Sequence, residues 1–184
     1  MLIYAMLVFV VASSALGQAS SMDKETIPTL TVCEALSHPE KYDGKMVRIR
    51  DQVRSTDEGA AFVGDTCPGI FVTDGRVWPS AIAWTMPTNL MFILHPVNFS
   101  YDWAASERLR KRWVKLHKRF PYRCIAVTYS GMFESWSKEK ARKTDPKGQK
   151  YEFEGFGHLN AAPAQLVLKS EDDVAPMPNC RGKN

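Results

Sequence analysis

The 184-residue chain has no apolar stretch long enough to cross a bilayer as a helix. Its strongest run, MLIYAMLVFVV over residues 1–11, is about half the 20 residues a span requires. It also lacks the short patterns that announce common chemistries. No C-x-x-C argues against a thioredoxin-like redox site or a zinc ribbon, and no H-x-x-x-H or H-E-x-x-H offers a helical pair of zinc ligands. No G-x-S-x-G marks a nucleophile elbow, and no G-x-x-x-x-G-K-[ST] cradles a phosphate. Charge of one sign is scarce in total: 24 Lys and Arg stand against 20 Asp and Glu, a net charge of +4. That balance permits anionic partners without requiring them. Four cysteines are too few for a disulfide-dominated scaffold and enough for two staples.

What remains of site chemistry is sparse. The histidines are His38, His95, His117 and His158. Cys33 with His38, or His158 near Glu152 and Glu154, comes nearest to a ligand set, but neither has the tight spacing of structural zinc ligands. Paired carboxylates occur at Glu152/Glu154 and Asp172/Asp173, and such pairs are ordinary on solvated strands. The catalytic residues are therefore left unassigned, with no metal and no cofactor expected.

Residues 1–11 are followed by the small residues of Ala12-Ser13-Ser14-Ala15-Leu16-Gly17, the form of a secretory signal peptide cleaved before Gln18. The leader carries no Lys or Arg, which leaves an uncleaved N-terminal anchor as the alternative. The expected organisation is a signal peptide at 1–17, a polar leader at 18–29, one domain at 30–170 and a C-terminal tail at 171–184. In an exported chain the even cysteine count reads as disulfides. Of the three possible connectivities, Cys33–Cys67 and Cys124–Cys180 are preferred, tying an early helix to a nearby turn and the tail to a strand.

After the leader, Thr31-Val32-Cys33-Glu34 has the T-x-x-E form of a capping box. It predicts a short helix stopped by Pro39. Residues 46–53 alternate, with Val47, Ile49 and Val53 on one face and Arg48, Arg50 and Gln52 on the other, as a half-buried strand does. Further strands are expected at 60–63, 70–72, 81–84, 90–94, 123–133 and 164–168. Over 101–120 the period changes: Ala105, Leu109, Trp113, Leu116 and Phe120 form one helical stripe, opened by Asp102 and ended by Pro121. A polar loop is expected at 137–150 and an irregular tail from Asp172. The resulting class is mainly β with one major helix. Its strand–helix order is that of a five-stranded barrel of the OB type, with the helix between strands 3 and 4.

Two segments carry a resemblance in the same direction. His38-Pro39-Glu40-Lys41-Tyr42-Asp43-Gly44-Lys45-Met46-Val47-Arg48-Ile49-Arg50 resembles the first barrel strand of small exported bacterial proteins with an OB-like domain. Gly155-Phe156-Gly157-His158-Leu159, followed by Ala162-Pro163-Ala164-Gln165-Leu166-Val167-Leu168, resembles their last strand. The resemblance implies the fold and a bacterial envelope setting, periplasmic or extracellular, and brings no catalytic residue with it. It also implies a glycine where this chain has Asp51, a position at which glycine lets a barrel strand coil.

Resolving charge along the chain gives the clearest functional signal. Residues 101–120 hold seven basic and two acidic side chains, and residues 137–150 hold six and two. Together these segments carry +9, against −5 for the remainder. Arg108, Lys111, Arg112, Lys115, Lys118 and Arg119 lie away from the apolar stripe. They are the candidate contacts for an anionic polymer or a membrane surface, and aromatics nearby (Trp103, Trp136, Tyr151) could stack bases. An exported protein meets little nucleic acid, so specific nucleic-acid recognition is not favoured, and a merely solvated face is the alternative. The expected function is an exported, non-enzymatic binding or structural module. The competing expectation is an exported hydrolase of a phosphodiester or glycoside that uses carboxylates in the barrel cleft.

Overall fold

A computed structural model of the chain describes residues 26–56, 59–64, 67, 71–137, 142–144, 150–152 and 154–178. The expected signal peptide and cleavage site lie outside them.

The chain opens with β1 (Thr29–Leu30), α1 (Val32–Ser37) and α2 (Pro39–Tyr42). The capping box forms as its residues dictate: the Thr31 hydroxyl accepts the Glu34 N–H at 3.2 Å while the Glu34 carboxylate accepts the Thr31 N–H at 2.7 Å. Pro39 ends α1 and also begins α2, because its fixed φ suits a first helical turn. Strands β2 (Met46–Thr56), β3 (Gly59–Val63), β4 (Phe71–Thr73), β5 (Arg76–Trp78) and β6 (Ala81–Thr85) follow. Then come α3 (Trp103–Arg119), β7 (Ile125–Ser135), a hairpin of β8 (Arg142–Thr144) and β9 (Lys150–Glu152), and β10 (Ala164–Pro176).

Five strands close on themselves in the order β2-β3-β6-β10-β7-β2, with β6 and β10 parallel and every other pair antiparallel. Counting barrel strands along the chain, this is 1-2-3-5-4-1, and α3 lies between the third and fourth. The fold is therefore the expected OB-like barrel with one major helix. The barrel encloses Val47, Ile49, Phe62, Ile82, Ile125, Val127, Phe133 and Leu166, all essentially inaccessible. Trp84 and Tyr129 meet the Phe62 ring edge-on at 5.5 and 5.2 Å. The apolar stripe of α3, from Ala105 and Leu109 to Trp113, Leu116 and Phe120, packs against this core.

Asp51 stands inside β2 and has a structural use there. Its carboxylate accepts the Val32 N–H at 3.0 Å, at the exposed N-terminus of α1, and the Gln52 N–H at 2.9 Å. Gln52 is also where β2 changes partner, pairing with β7 on one side and β3 on the other. The tight glycine of the barrel lies instead in β7. A Cβ on Gly131 would collide with the Val167 carbonyl oxygen and come within 2.9 Å of the Leu166 side chain, so β7 and β10 approach closely only because no side chain intervenes.

Three expectations are corrected. Residues 90–94 are not a buried strand: Leu90–Phe92 is a 3-10 turn with Leu90 70% exposed, and only Ile93 is buried. Both edges of the five-strand barrel are already joined, and the Leu94 and His95 amides are taken by the Glu134 carboxylate, at 2.7 Å each, rather than by a neighbouring strand. The polar loop at 137–150 contains the β8–β9 hairpin. The tail expected to be irregular from Asp172 continues β10 to Pro176, paired with β7 through two register shifts near Lys169 and Asp172.

Candidate anion-contact surface on the major helix

α3 is built to be a rigid, outward-facing rod. Asp102 caps its N-terminus by accepting the Ala105 N–H at 2.9 Å, and its last turn carries His117, Lys118 and Arg119, which complement the negative end of the helix dipole. Burial of Ala105 and Leu109 fixes its rotation. With 100° per residue, the opposite side must face solvent.

The structure separates the six sequence-predicted cations. Arg112 is engaged: its guanidinium meets Asp173 at 2.8 Å and donates to the Val174 carbonyl at 3.3 Å. Lys111 lies 3.9 Å from Glu107, which also takes a two-pronged bond from Arg110 at 2.9 Å on each oxygen. Arg108, Lys115, Lys118 and Arg119 are exposed and make no ion pair with the described residues. Arg108, Lys115 and Arg119 follow one another at intervals of seven and four, a single ridge along the helix. Of the second basic segment, only 137, 142–144 and 150 are described.

Three carboxylates from outside the basic segments, Glu171, Asp172 and Asp173, sit beside this helix. At the bends of β10, Asp172 pairs with Arg48 at 3.3 Å and also accepts the Ser130 and Ser170 hydroxyls, while Asp173 faces Arg50 at 3.7 Å as well as Arg112. Glu171 accepts the Tyr101 hydroxyl at 2.6 Å. Asp102, Arg108, Arg112, Glu171 and Asp172 line a cleft of about 340 Å³ between α3 and β10. Its carboxylates are committed to a helix cap, an ion-pair network and a tyrosine. Burial, and then the Glu171 bond, push the Tyr101 phenol up to about 12. Burial raises Tyr129 as well.

Two further features escaped sequence reasoning. On the outer face of β3 and β6 a shallow groove of about 360 Å³ is floored by Ala60, Ala61, Ala81 and Ala83 and edged by Arg54 and the 156–162 turn. Its one aromatic, Phe156, is buried, so the floor offers no ring for base stacking. Among the stacking candidates, Trp136 packs on Trp78 at 5.2 Å, Trp103 stands 69% exposed on α3, and the Tyr151 side chain lies outside the described residues. The alanines at 60, 61, 81 and 83 were a readable sign of a strand face with little side-chain bulk.

The second feature is a polar cluster. Glu134 is fully buried and accepts from the Leu94 and His95 amides and, at 2.7 Å, from the Gln165 side chain. The His95 ring lies 3.3 Å from Glu134 on one nitrogen and 3.3 Å from Asp43 on the other, and Asp43 in turn accepts the Ser135 N–H and hydroxyl. Every donor around these carboxylates belongs to a strand or loop being held in place. The Ser135 hydroxyl gives its proton to Asp43 and not to the histidine, which is not a nucleophile–base arrangement.

Cys33 and Cys67 form a disulfide with Cα atoms 5.1 Å apart, one of the expected pairs. This bond removes Cys33 as a metal ligand beside His38. Cys124 is also disulfide-bonded, and its expected partner Cys180 lies outside the described residues. Among the described residues no three His, Cys, Asp or Glu side chains gather as a metal site, and no helix is long and apolar enough to cross a membrane. Comparison of the chain with protein-family models, curated proteins and solved structures finds no match.

Proposed function

We propose that this protein is an exported, non-enzymatic barrel that binds an anionic partner through the outer face of α3. The observation that carries this reading is the set of four exposed cations, Arg108, Lys115, Lys118 and Arg119, that make no ion pair with the described residues on a helix whose neighbours are otherwise paired. A cation already paired gains little from a second anion; an unpaired one near an anionic surface contributes about 1 kcal/mol. The Cys33–Cys67 bond fits an oxidising compartment and supports export. The ligand class is a phosphate- or carboxylate-rich polymer or surface.

The test is binding of the oxidised protein, expressed with its own N-terminal segment, to polyphosphate at 50 and 300 mM salt. With about four cations engaged, affinity should fall by roughly two orders of magnitude across that range. Reversing the ridge with Arg108→Glu, Lys115→Glu and Arg119→Glu should abolish binding and leave the unfolding midpoint nearly unchanged. Salt-independent binding, or a charge-reversed variant that binds normally, would overturn the proposal.

A further inference from the structure

We infer that the anionic partner of α3 is the surface of a lipid bilayer, on which the helix lies with Trp103 and Val114 in the headgroup layer. The inference rests on the anion-contact reading above and specifies its ligand.

The outer line of α3 is not uniformly polar. Trp103 is 69% exposed and Val114 47% exposed. They are eleven residues apart, a rotation only about 20° beyond three full turns, so they share one line roughly 16 Å long. Lys111 and Lys118, three residues before and four after Val114, stand about 40–60° round the helix from it, and Lys115 about 100° round on the same side. Glu107, the acidic residue among them, is neutralised by Arg110 and Lys111. Trp103 does not fold down onto the protein. Its ring stands edge-on to Tyr101 at 4.7 Å, and that tyrosine is buried and bonded to Glu171. The indole is thus buttressed in an outward position.

Cations alone would serve a soluble polyanion and would leave an exposed Trp and Val without use. A helix that presents aromatic and aliphatic side chains alongside a row of lysines matches an anionic interface, where rings settle among headgroups and ammonium groups meet lipid phosphates. The separation of the two apolar side chains calls for an extended, flat apolar layer rather than a pocket-sized ligand. A second copy of the chain is disfavoured as occupant because pairing two such faces sets Lys111, Lys115 and Lys118 against their counterparts. The apolar Leu90–Phe92 turn has no Lys or Arg in the segment around it, residues 88 to 102.

Co-sedimentation of the oxidised protein with vesicles of 30% phosphatidylglycerol in phosphatidylcholine, beside pure phosphatidylcholine vesicles and soluble polyphosphate, tests the inference. The wild type should bind the anionic vesicles. Trp103→Ala with Val114→Ala should weaken that binding about tenfold or more and leave polyphosphate binding at the wild-type level. Trp103→Phe keeps a ring against Tyr101, and the difference between wild-type and Trp103→Phe emission should shift to the blue on adding anionic vesicles. Wild-type vesicle affinity in the double variant, or polyphosphate binding without vesicle binding, overturns the lipid inference and leaves the anion-contact reading standing. Failure to bind either anionic vesicles or polyphosphate overturns both.

Discussion

Glu134 holds a carboxylate that solvent does not reach, yet three neutral donors, two backbone and one amide, converge on it. It stands opposite Gln165 in the β7–β10 ladder, on the same side of β7 as Met132. There the segment that supplies Ile93, Val97 and Phe99 covers the strand. A buried carboxyl group with all its bonds made is costly to remove, because its partners are then stranded without water. Glu134→Ala should therefore destabilise the protein by about 3 kcal/mol or more in urea unfolding. Glu134→Gln, which preserves shape and one acceptor oxygen, should cost less than the alanine variant. An alanine variant within 1 kcal/mol of wild type would show that the cluster does not anchor the 93–99 segment.

At the scale of elements, α1 shows how a six-residue helix, too short to persist alone, is held from several directions. Its capping box closes one end, Asp51 of β2 takes the Val32 amide, and Val32, Ala35 and Leu36 enter the main core. Cys33 then ties it to Cys67 across 34 residues of sequence. A cross-link of that span restricts the unfolded chain by about 3–4 kcal/mol in the loop-entropy account. Cys33→Ala with Cys67→Ala should lower the unfolding free energy by an amount of that order, measured by denaturant titration. The difference from wild type should shrink when both are examined under a strong reductant. α3 is held differently, by its apolar stripe and by the Arg112 contacts to β10, which leaves its outer line available.

For the whole molecule, the barrel brings opposite charges together more than the linear pattern suggests. The basic helix lies against the acidic bends of β10, and Arg48 and Arg50 of β2 reach the same carboxylates. Among the described residues of α3, the cations left without an ion pair stand on its outer ridge. The same junction governs alkaline stability. Tyr101 keeps its proton up to about 12 in the folded protein, because it is buried and bonded to Glu171, whereas an unfolded tyrosine loses it near 10. A group whose pKa is raised on folding contributes stability that is present below the unfolded value and lost as pH rises towards the folded one. Stability should accordingly hold steady up to about pH 10 and decline between about 10 and 12, with Tyr129 adding to the loss. Tyr101→Phe should flatten part of that decline, read from urea midpoints across the range. An unchanged slope would remove Tyr101 as its source.

Local patterns in the chain were enough to place the capped helix at Thr31, the strand over 46–53, the long amphipathic helix and the OB-like order, because each depends on neighbours within a turn or a strand. Those patterns also identified the basic residues of α3. They did not separate Arg112, drawn into Asp173, from Arg108, Lys115, Lys118 and Arg119, because that distinction rests on a strand about 60 residues away. The misreading of 90–94 has the same origin. Five apolar residues suit a strand by themselves, but the barrel closes without them and Glu134 takes their amides. Likewise Asp51 is a poor strand residue until α1 is laid beside it, and Glu134 is an ordinary carboxylate until the 93–99 segment covers it. Periodicity and capping are short-range effects carried in the residue order. Burial of a charge, its pairing and the exposure of Trp103 and Val114 on one line are settled only when distant segments meet.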